Sequence, residues 1–288
     1  MIPGFLTEEL SSRPFRFPAS LEQAYSGLID ELQREVAGFG RCTYCLEDTS
    51  RESVAWQFDR YLPAHYFKSY YSLLQMESDA LQSQSDCHLL SWPSLTVIDV
   101  GCGSGAASLA ALALLHRYQQ YRIAHCAPIV PVNVLLIGVD PNPYMLELYS
   151  RMVESYSERL EHELVRVTYI PHQGRFPEDI RQVLRLYQPN NRHSVLVILS
   201  NVVRILEDLY SAGETSALEK VLRLLRGKKP ASGIFGAAEG IAIESILEEW
   251  GVNCVSILGV ATIGSGLKPH QWRDALHNLF SVLSLHTF

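Results

Sequence analysis

Apolar positions along the 288-residue chain change their period near residue 90. Before it, the stretch 20–37 (SLEQAYSGLIDELQREVA) repeats Leu21, Ala24, Tyr25, Leu28, Leu32 and Val36 at helical spacing, with Ser20 placed as an N-cap. A second helix is predicted from Ala64 to Met76. From residue 94 short apolar strands alternate with helices, the pattern of a parallel sheet with crossover helices. Strands are predicted at Leu95–Val100, Val132–Val139, Leu164–Ile170, Ser194–Leu199, Ser232–Ala238, Asn253–Ile263 and Leu279–His286. Helices are predicted at Ala106–Tyr118, after Asn142 as N-cap with Pro143 at its first position, and at Pro177–Leu186, Val203–Arg226, Ile241–Trp250 and His270–Asn278. The expected fold class is α/β: a mostly parallel, seven-stranded sheet flanked by helices over residues 91–288, preceded by a helical region over 1–90.

Composition narrows the class. With 47% hydrophobic and 19% charged residues the chain carries too much apolar surface to be disordered. Its longest strongly apolar run, Ala106 to Leu115, is about half the roughly 20 residues a bilayer requires. Glu8 and Glu9 stand where a signal peptide carries basic residues, so a soluble, cytoplasmic protein without a membrane partner is expected. Of the six cysteines only Cys42-Thr-Tyr-Cys45 has metal-ligand spacing, with Cys87 and His88 as the nearest additional ligands; reduced thiols and no metal are expected. The net charge of −7 is concentrated at the front, where residues 1–90 hold thirteen acidic against seven basic side chains. Such a segment opposes a phosphate backbone, which argues against a nucleic-acid partner.

The stretch that carries chemistry is Val97-Ile98-Asp99-Val100-Gly101-Cys102-Gly103-Ser104-Gly105. A hydrophobic strand ends in a carboxylate and breaks into three alternate glycines, followed by an almost purely apolar helix. Backbone without Cβ atoms at the carboxyl end of a parallel strand makes a flat floor for a ligand. The second strand ends in Val139-Asp140, a carboxylate placed to accept from two ribose hydroxyls. These residues resemble the class I S-adenosylmethionine-dependent methyltransferases, whose first motif reads (hydrophobic)-x-D-x-G-x-G-x-G. The resemblance covers about residues 94–262 and implies a Rossmann-like class I methyltransferase fold with S-adenosyl-L-methionine as cofactor.

Carried over by position, the resemblance implies that Asp99 orients the amino group of the methionine moiety. Gly101, Cys102, Gly103 and Gly105 line the approach of methionine and ribose, and Asp140 binds the ribose hydroxyls. Pro141 or Tyr144 flanks the adenine. After the third strand, where the family often has an acidic residue, this chain has His172-Gln173-Gly174-Arg175; Gln173 then accepts from the adenine amino group with Phe176 against the ring. Asp140 lies 35 residues after Gly105, and the excess sits in Tyr118–Pro131, expected as a loop or helical extension on the far side of the sheet.

The acceptor side is read from the strand ends and the N-terminal region. Candidate catalytic residues are His65 and His172 as bases, Asn201 for acceptor positioning and Glu239 as a base at the pocket rim, with Arg204 as a partner for an acidic acceptor. In the family the segment before the first strand commonly covers the cofactor, which makes the aromatic run 60–71, with Tyr61, Tyr66 and Tyr70, a lid; a helix face packed on the core is the alternative. Ala238-Glu239-Gly240 and the aromatic run also faintly resemble ribosomal small-subunit methyltransferases of the mitochondrial assembly type, which keeps an RNA acceptor as an alternative. Gly101-x-Gly103-x-x-Ala106 also satisfies the dinucleotide fingerprint, but Asp99 would set a carboxylate beneath a pyrophosphate. The expected function is therefore methyl transfer to a small-molecule acceptor. A nicotinamide-dependent oxidoreductase and a non-catalytic binding scaffold stay open as rival functions, and so does the oligomeric state.

Overall fold

A computed structural model describes residues 2–12, 16–37, 39, 50–82, 88–174, 179, 194–200, 254–262 and 280–287. Three helices come first: α1 (Ile2–Ser11), α2 (Ala19–Glu35) and α3 (Arg51–Gln82). Then follow β1 (Ser94–Val100), α4 (Ala106–Ala124), β2 (Val132–Asp140), α5 (Pro143–Ser157), β3 (Val165–Gln173), β4 (Ser194–Ser200), β5 (Cys254–Thr262) and β6 (Phe280–Thr287). The strands form one sheet in the order β3-β2-β1-β4-β5-β6. All neighbours are parallel except β5 and β6. The order reverses at β1, the topological switch point at which open α/β sheets bind ligands.

Six strands are described where seven were expected. β5 pairs with β4, with Ser194 opposite Cys254. The apolar run of β5 suits an interior strand with a neighbour on each side. Ser232–Ala238 itself lies outside the described residues, as do the helices expected at Pro177–Leu186, Val203–Arg226, Ile241–Trp250 and His270–Asn278.

The helix α3 is longer than periodicity predicted. The helix expected from Ala64 runs instead over 32 residues of α3, straight through Pro63. An interior proline costs about 3 kcal/mol. Val54, Phe58, Leu62, Tyr66, Tyr70 and Leu73 are all buried along one stripe of the same helix, and each buried side chain of that size returns about 1.5–3 kcal/mol. The helix at residue 20 starts two residues earlier than expected, with Pro18 rather than Ser20 in the N-cap position. Asn142 does cap α5, its side-chain oxygen accepting from the Tyr144 N–H at 3.0 Å, with Pro143 at the first helical position. The segment Tyr118–Pro131 extends α4 to Ala124 and then loops at the end of the sheet opposite the glycine turn.

Right-handed crossovers running in the same direction, β1 to β2 to β3, put α4 and α5 on one face of the sheet. There α3 packs along α4 and reaches β5 and β6, while α2 covers α5 and α1 leans on α3. The first ninety residues thus share one hydrophobic core with the sheet, from Phe5 and Leu28 through Phe58 to Leu112, Leu136 and Met152. The junction is fastened by a buried carboxylate. Glu9 of α1, 4% exposed, accepts from the Tyr70 hydroxyl of α3 at 2.7 Å and from Nε and Nη2 of Arg117 on α4 at 2.9 and 2.5 Å. A second, exposed network joins Arg51 and Arg151 to Glu31, Glu35 and Glu147, tying α2 and α3 to α5.

Glu9→Ala strands a buried phenol and a guanidinium together. It is expected to cost about 2–3 kcal/mol in urea unfolding, against less than about 0.5 for Glu8→Ala on the exposed face of α1. Equal losses for the two substitutions contradict this account of the junction.

Candidate functional site

The site is built where β1 ends. Asp99 is fully buried, and its Oδ2 accepts from the Ser108 N–H at 3.1 Å and the Ser108 hydroxyl at 2.8 Å. Ser108 is the third residue of α4, one of the first-turn N–H groups that a helix cannot satisfy internally. The N-cap residue, Gly105, has no side chain to do so. A carboxylate from the neighbouring strand therefore caps the helix, favoured by the positive end of the helix dipole. Asp99 Oδ1 has no hydrogen-bond partner among the described residues. Burial pushes this carboxyl up to about 7, opposed by the two Ser108 bonds and helped by the nearby Asp140.

Between strand and helix the turn is stitched to the end of β2. The Val139 carbonyl accepts from the N–H groups of Gly101 at 2.8 Å and Cys102 at 3.1 Å, and Gly105 N–H donates to the Cys102 carbonyl at 2.8 Å. The glycines at 101, 103 and 105 have φ of 65°, 50° and 88°, a region that costs an L-residue roughly 1–2 kcal/mol. Gly103 and Gly105 differ in their surroundings. A Cβ on Gly103 would meet nothing within 4 Å, whereas one on Gly105 would lie 2.8 Å from the Tyr149 ring. Open space above Gly103 is what a ligand floor requires.

Asp140 closes the turn from the other side. Its Oδ2 accepts from the Gly103 N–H at 3.0 Å and its Oδ1 from the Asn142 N–H at 2.9 Å. Burial raises its pKa, and these two amides pull it down. A carboxylate has about four acceptor sites, so two remain for hydroxyl donors. The long spacing between Gly105 and Asp140 is thus absorbed without separating them. Cys102 is buried in the same turn, and burial, with the charges of Asp99 and Asp140 adding, holds its thiol well above the ordinary range. Among the described residues no group of three or more His, Cys, Asp or Glu could hold a metal ion.

The sequence-predicted residues separate into three sets. Asp99, Gly101, Cys102, Gly103, Gly105 and Asp140 come together in one turn. Pro141 and Gln173 stand beside it, the Gln173 amide nitrogen donating to the Pro141 carbonyl at 3.2 Å, which leaves its side-chain oxygen as an acceptor. Tyr144 is exposed, and His172 is half-buried on the edge strand β3.

On α3 two of the expected lid residues, Tyr66 and Tyr70, belong to the core instead. Tyr66 and Tyr70, 1% and 3% exposed, stack on each other in the core and show no face to a ligand, because α3 lies in the helix layer rather than across the strand ends. Tyr61 packs between Trp56 and His65. Burial, with the charge of Lys68 nearby, pushes His65 down to about 3, which makes it a weak base near neutrality. Phe176, Asn201, Arg204, Glu239, Cys42, Cys45 and Cys87 lie outside the described residues.

Three contributors escaped sequence reasoning: Ser108, Tyr149 and Gly138. The last had a legible signal, since a lone glycine inside a strand marks close approach by another group. Here the group is the Tyr149 ring.

No family model and no curated protein matches the chain. Among solved structures it is similar to a protein of Methanococcus maripaludis provisionally classed as an S-adenosyl-L-methionine-dependent methyltransferase. That match has 12% identity over 82% of this chain and 73% of the other, at a TM-score of 0.34. It is also similar to a protein of Listeria monocytogenes provisionally classed as a class I S-adenosylmethionine-dependent methyltransferase. Here identity is 13% over 93% of this chain and 78% of the other, at a TM-score of 0.31.

Gly103→Ala adds a methyl group to open space at positive φ, so it is expected to cost about 1 kcal/mol of stability. Gly105→Ala adds the same strain and drives a methyl into Tyr149, for about 3 kcal/mol or more. Thermal unfolding of the two variants checks the order; the reverse order contradicts this description of the turn.

Proposed function

We propose that the chain is an S-adenosyl-L-methionine-dependent methyltransferase acting on a small-molecule acceptor. The observation that carries the reading is the pair of buried carboxylates, Asp99 and Asp140, around an open glycine floor with no protein cation facing them among the described residues. A buried carboxylate oxygen without a partner is costly, and a ligand ammonium at Asp99 Oδ1 offsets that cost. The spare acceptor sites of Asp140 suit two ribose hydroxyls, and the Gln173 side-chain oxygen suits an adenine amino group. When bound, the cofactor supplies a sulfonium methyl whose leaving group is already activated. What the chain contributes is alignment: the floor at Gly101–Gly103 and the two carboxylates fix the donor at the switch point.

Asp99 also argues against a dinucleotide. The Ser108 N–H at the start of α4, which would otherwise cradle a pyrophosphate, is already taken by a carboxylate. Support for a small acceptor comes from the acidic first ninety residues, which disfavour a phosphate backbone. Residues for proton removal or acceptor positioning at Asn201, Arg204 and Glu239 belong to this proposal as sequence expectations.

Calorimetry with S-adenosylmethionine, S-adenosylhomocysteine and NADH tests the reading. The first two are expected to bind one per chain and NADH not at all; binding of NADH alone overturns it. Binding without turnover across a panel of small-molecule acceptors favours a non-catalytic scaffold instead.

The pH dependence has a definite sign. Below its midpoint Asp99 is neutral and attracts an ammonium weakly, so affinity for S-adenosylhomocysteine is expected to rise as pH climbs through about 7 and then level off. The unliganded fold behaves oppositely. The carboxyl ionises near 3.9 when unfolded and near 7 when folded, so stability falls as pH rises across that window. Asp99→Asn keeps an acceptor for Ser108 but removes the charge. It is expected to raise the melting temperature at pH 8 while losing most ligand affinity. A variant that melts lower and binds normally contradicts the role given to Asp99.

A further inference from the structure

Gly105 and Gly138, far apart in sequence, meet the same side chain. A Cβ on Gly105 would lie 2.8 Å from Cδ2 of Tyr149, and one on Gly138 would lie 2.6, 2.7 and 2.9 Å from Cζ, Cε2 and Cε1 of the same ring. No side chain tolerates such approaches, so Tyr149 of α5, 0% exposed, fills a slot made by two absent side chains. Both walls of the slot matter to the site. Gly105 is the positive-φ residue from which α4 springs, and Gly138 pairs with Asp99 across β1 and β2. The ring is therefore set against the turn and beside the buried carboxylate at once.

Among the described residues, four polar groups interact with or neighbour Asp99. From α4 comes Ser108, from the turn Cys102, from the end of β2 Asp140, and from α5 Tyr149 itself. On β4 the register partner is Ile198. Among the described residues none of these is a cation. An aromatic ring is rigid and apolar over most of its surface, so it can hold a glycine backbone in one stance and keep water away from a neighbouring charge.

We propose that Tyr149 is a positioning residue for the ligand turn: its ring pins Gly105 at the start of α4 and walls off Asp99 from water, so that a cationic ligand meets a preset, dry carboxylate. This deepens the methyltransferase reading and rests on it for the identity of the ligand. Preorganisation of this kind raises affinity by removing the ordering cost from the binding step. Gly138 acts through the same ring although it does not touch the floor.

The test compares wild type, Tyr149→Phe, Tyr149→Leu and Gly138→Ala by two readouts. One is the carboxyl titration of Asp99 in unliganded protein, followed by NMR with carbon-13-labelled aspartate and assigned by Asp99→Asn. The other is calorimetric affinity for S-adenosylhomocysteine. Tyr149→Phe keeps the ring and is expected to bind within about twofold of wild type with an unchanged midpoint. Tyr149→Leu is expected to bind about tenfold more weakly or worse, with the Asp99 midpoint falling toward the ordinary carboxylate range near 4. Gly138→Ala, which pushes the ring without removing it, is expected to move both readouts in the same direction and decides the matter if Tyr149→Leu does not fold. A lower melting temperature with unchanged midpoint and affinity assigns Tyr149 to packing alone and overturns the proposal. If wild type binds no S-adenosylhomocysteine, the methyltransferase reading fails, while the Asp99 titration still decides what Tyr149 does.

Discussion

The hydrogen bonds from Ser108 to Asp99 are the constraint on which the rest of the site depends. A strand that ends in a sharp glycine turn and restarts as a helix must satisfy the first-turn amides of that helix, and three alternate glycines provide no side chain for the purpose. Asp99 provides it from inside the sheet. This fixes the height of α4 over β1, buries a carboxylate at the switch point, and consumes the amide that a phosphate would need. The remaining oxygen is buried without a hydrogen-bond partner among the described residues. In the function proposed above, helix capping and ligand selection are two consequences of one side chain.

A carboxylate in that position is unfavourable by itself, and the fold around it is arranged to bear the cost. Gly101 and Cys102 hang from the Val139 carbonyl, Gly103 from Asp140, and the Tyr149 ring braces Gly105. The N-terminal helices supply the mass behind this arrangement. α3 lies in the same layer as α4 and α5, and the Glu9–Tyr70–Arg117 cluster ties α1 to both α3 and α4. The acidic front of the chain is therefore part of the body of the molecule. Its surface carboxylates are in part committed to Arg51 and Arg151.

What was legible in the sequence follows the range of the forces involved. Strand and helix positions from Leu95 to Ile170, the Asn142 cap and the glycine turn are local, and the structure reproduces them within a few residues. The convergence of Asp99 and Asp140 was legible because each ends a parallel strand at the switch point. The full length of α3 was not, because Pro63 is a local stop signal that only long-range burial overrides. The aromatic run containing Tyr66 and Tyr70 left a lid and a core-packed helix face as alternatives, because aromatic side chains serve ligands and cores equally well. Only the packing layer of α3 decides between them, and it buries both rings. The role of Ser108 depends on a contact between two elements, which no single segment announces. Asn201, Arg204 and Glu239 remain expectations drawn from the ends of strands.

In the proposed function Asp99 and Asp140 together receive a cationic adenosyl ligand over the glycine turn. A crystal structure of the chain with S-adenosylhomocysteine tests it most directly. The ligand amino group is expected on Asp99 Oδ1, directly or through one water, with the ribose hydroxyls on Asp140 and the backbone of Gly103 beneath them. A ligand bound elsewhere, or one that leaves Asp99 Oδ1 without a hydrogen bond, contradicts it.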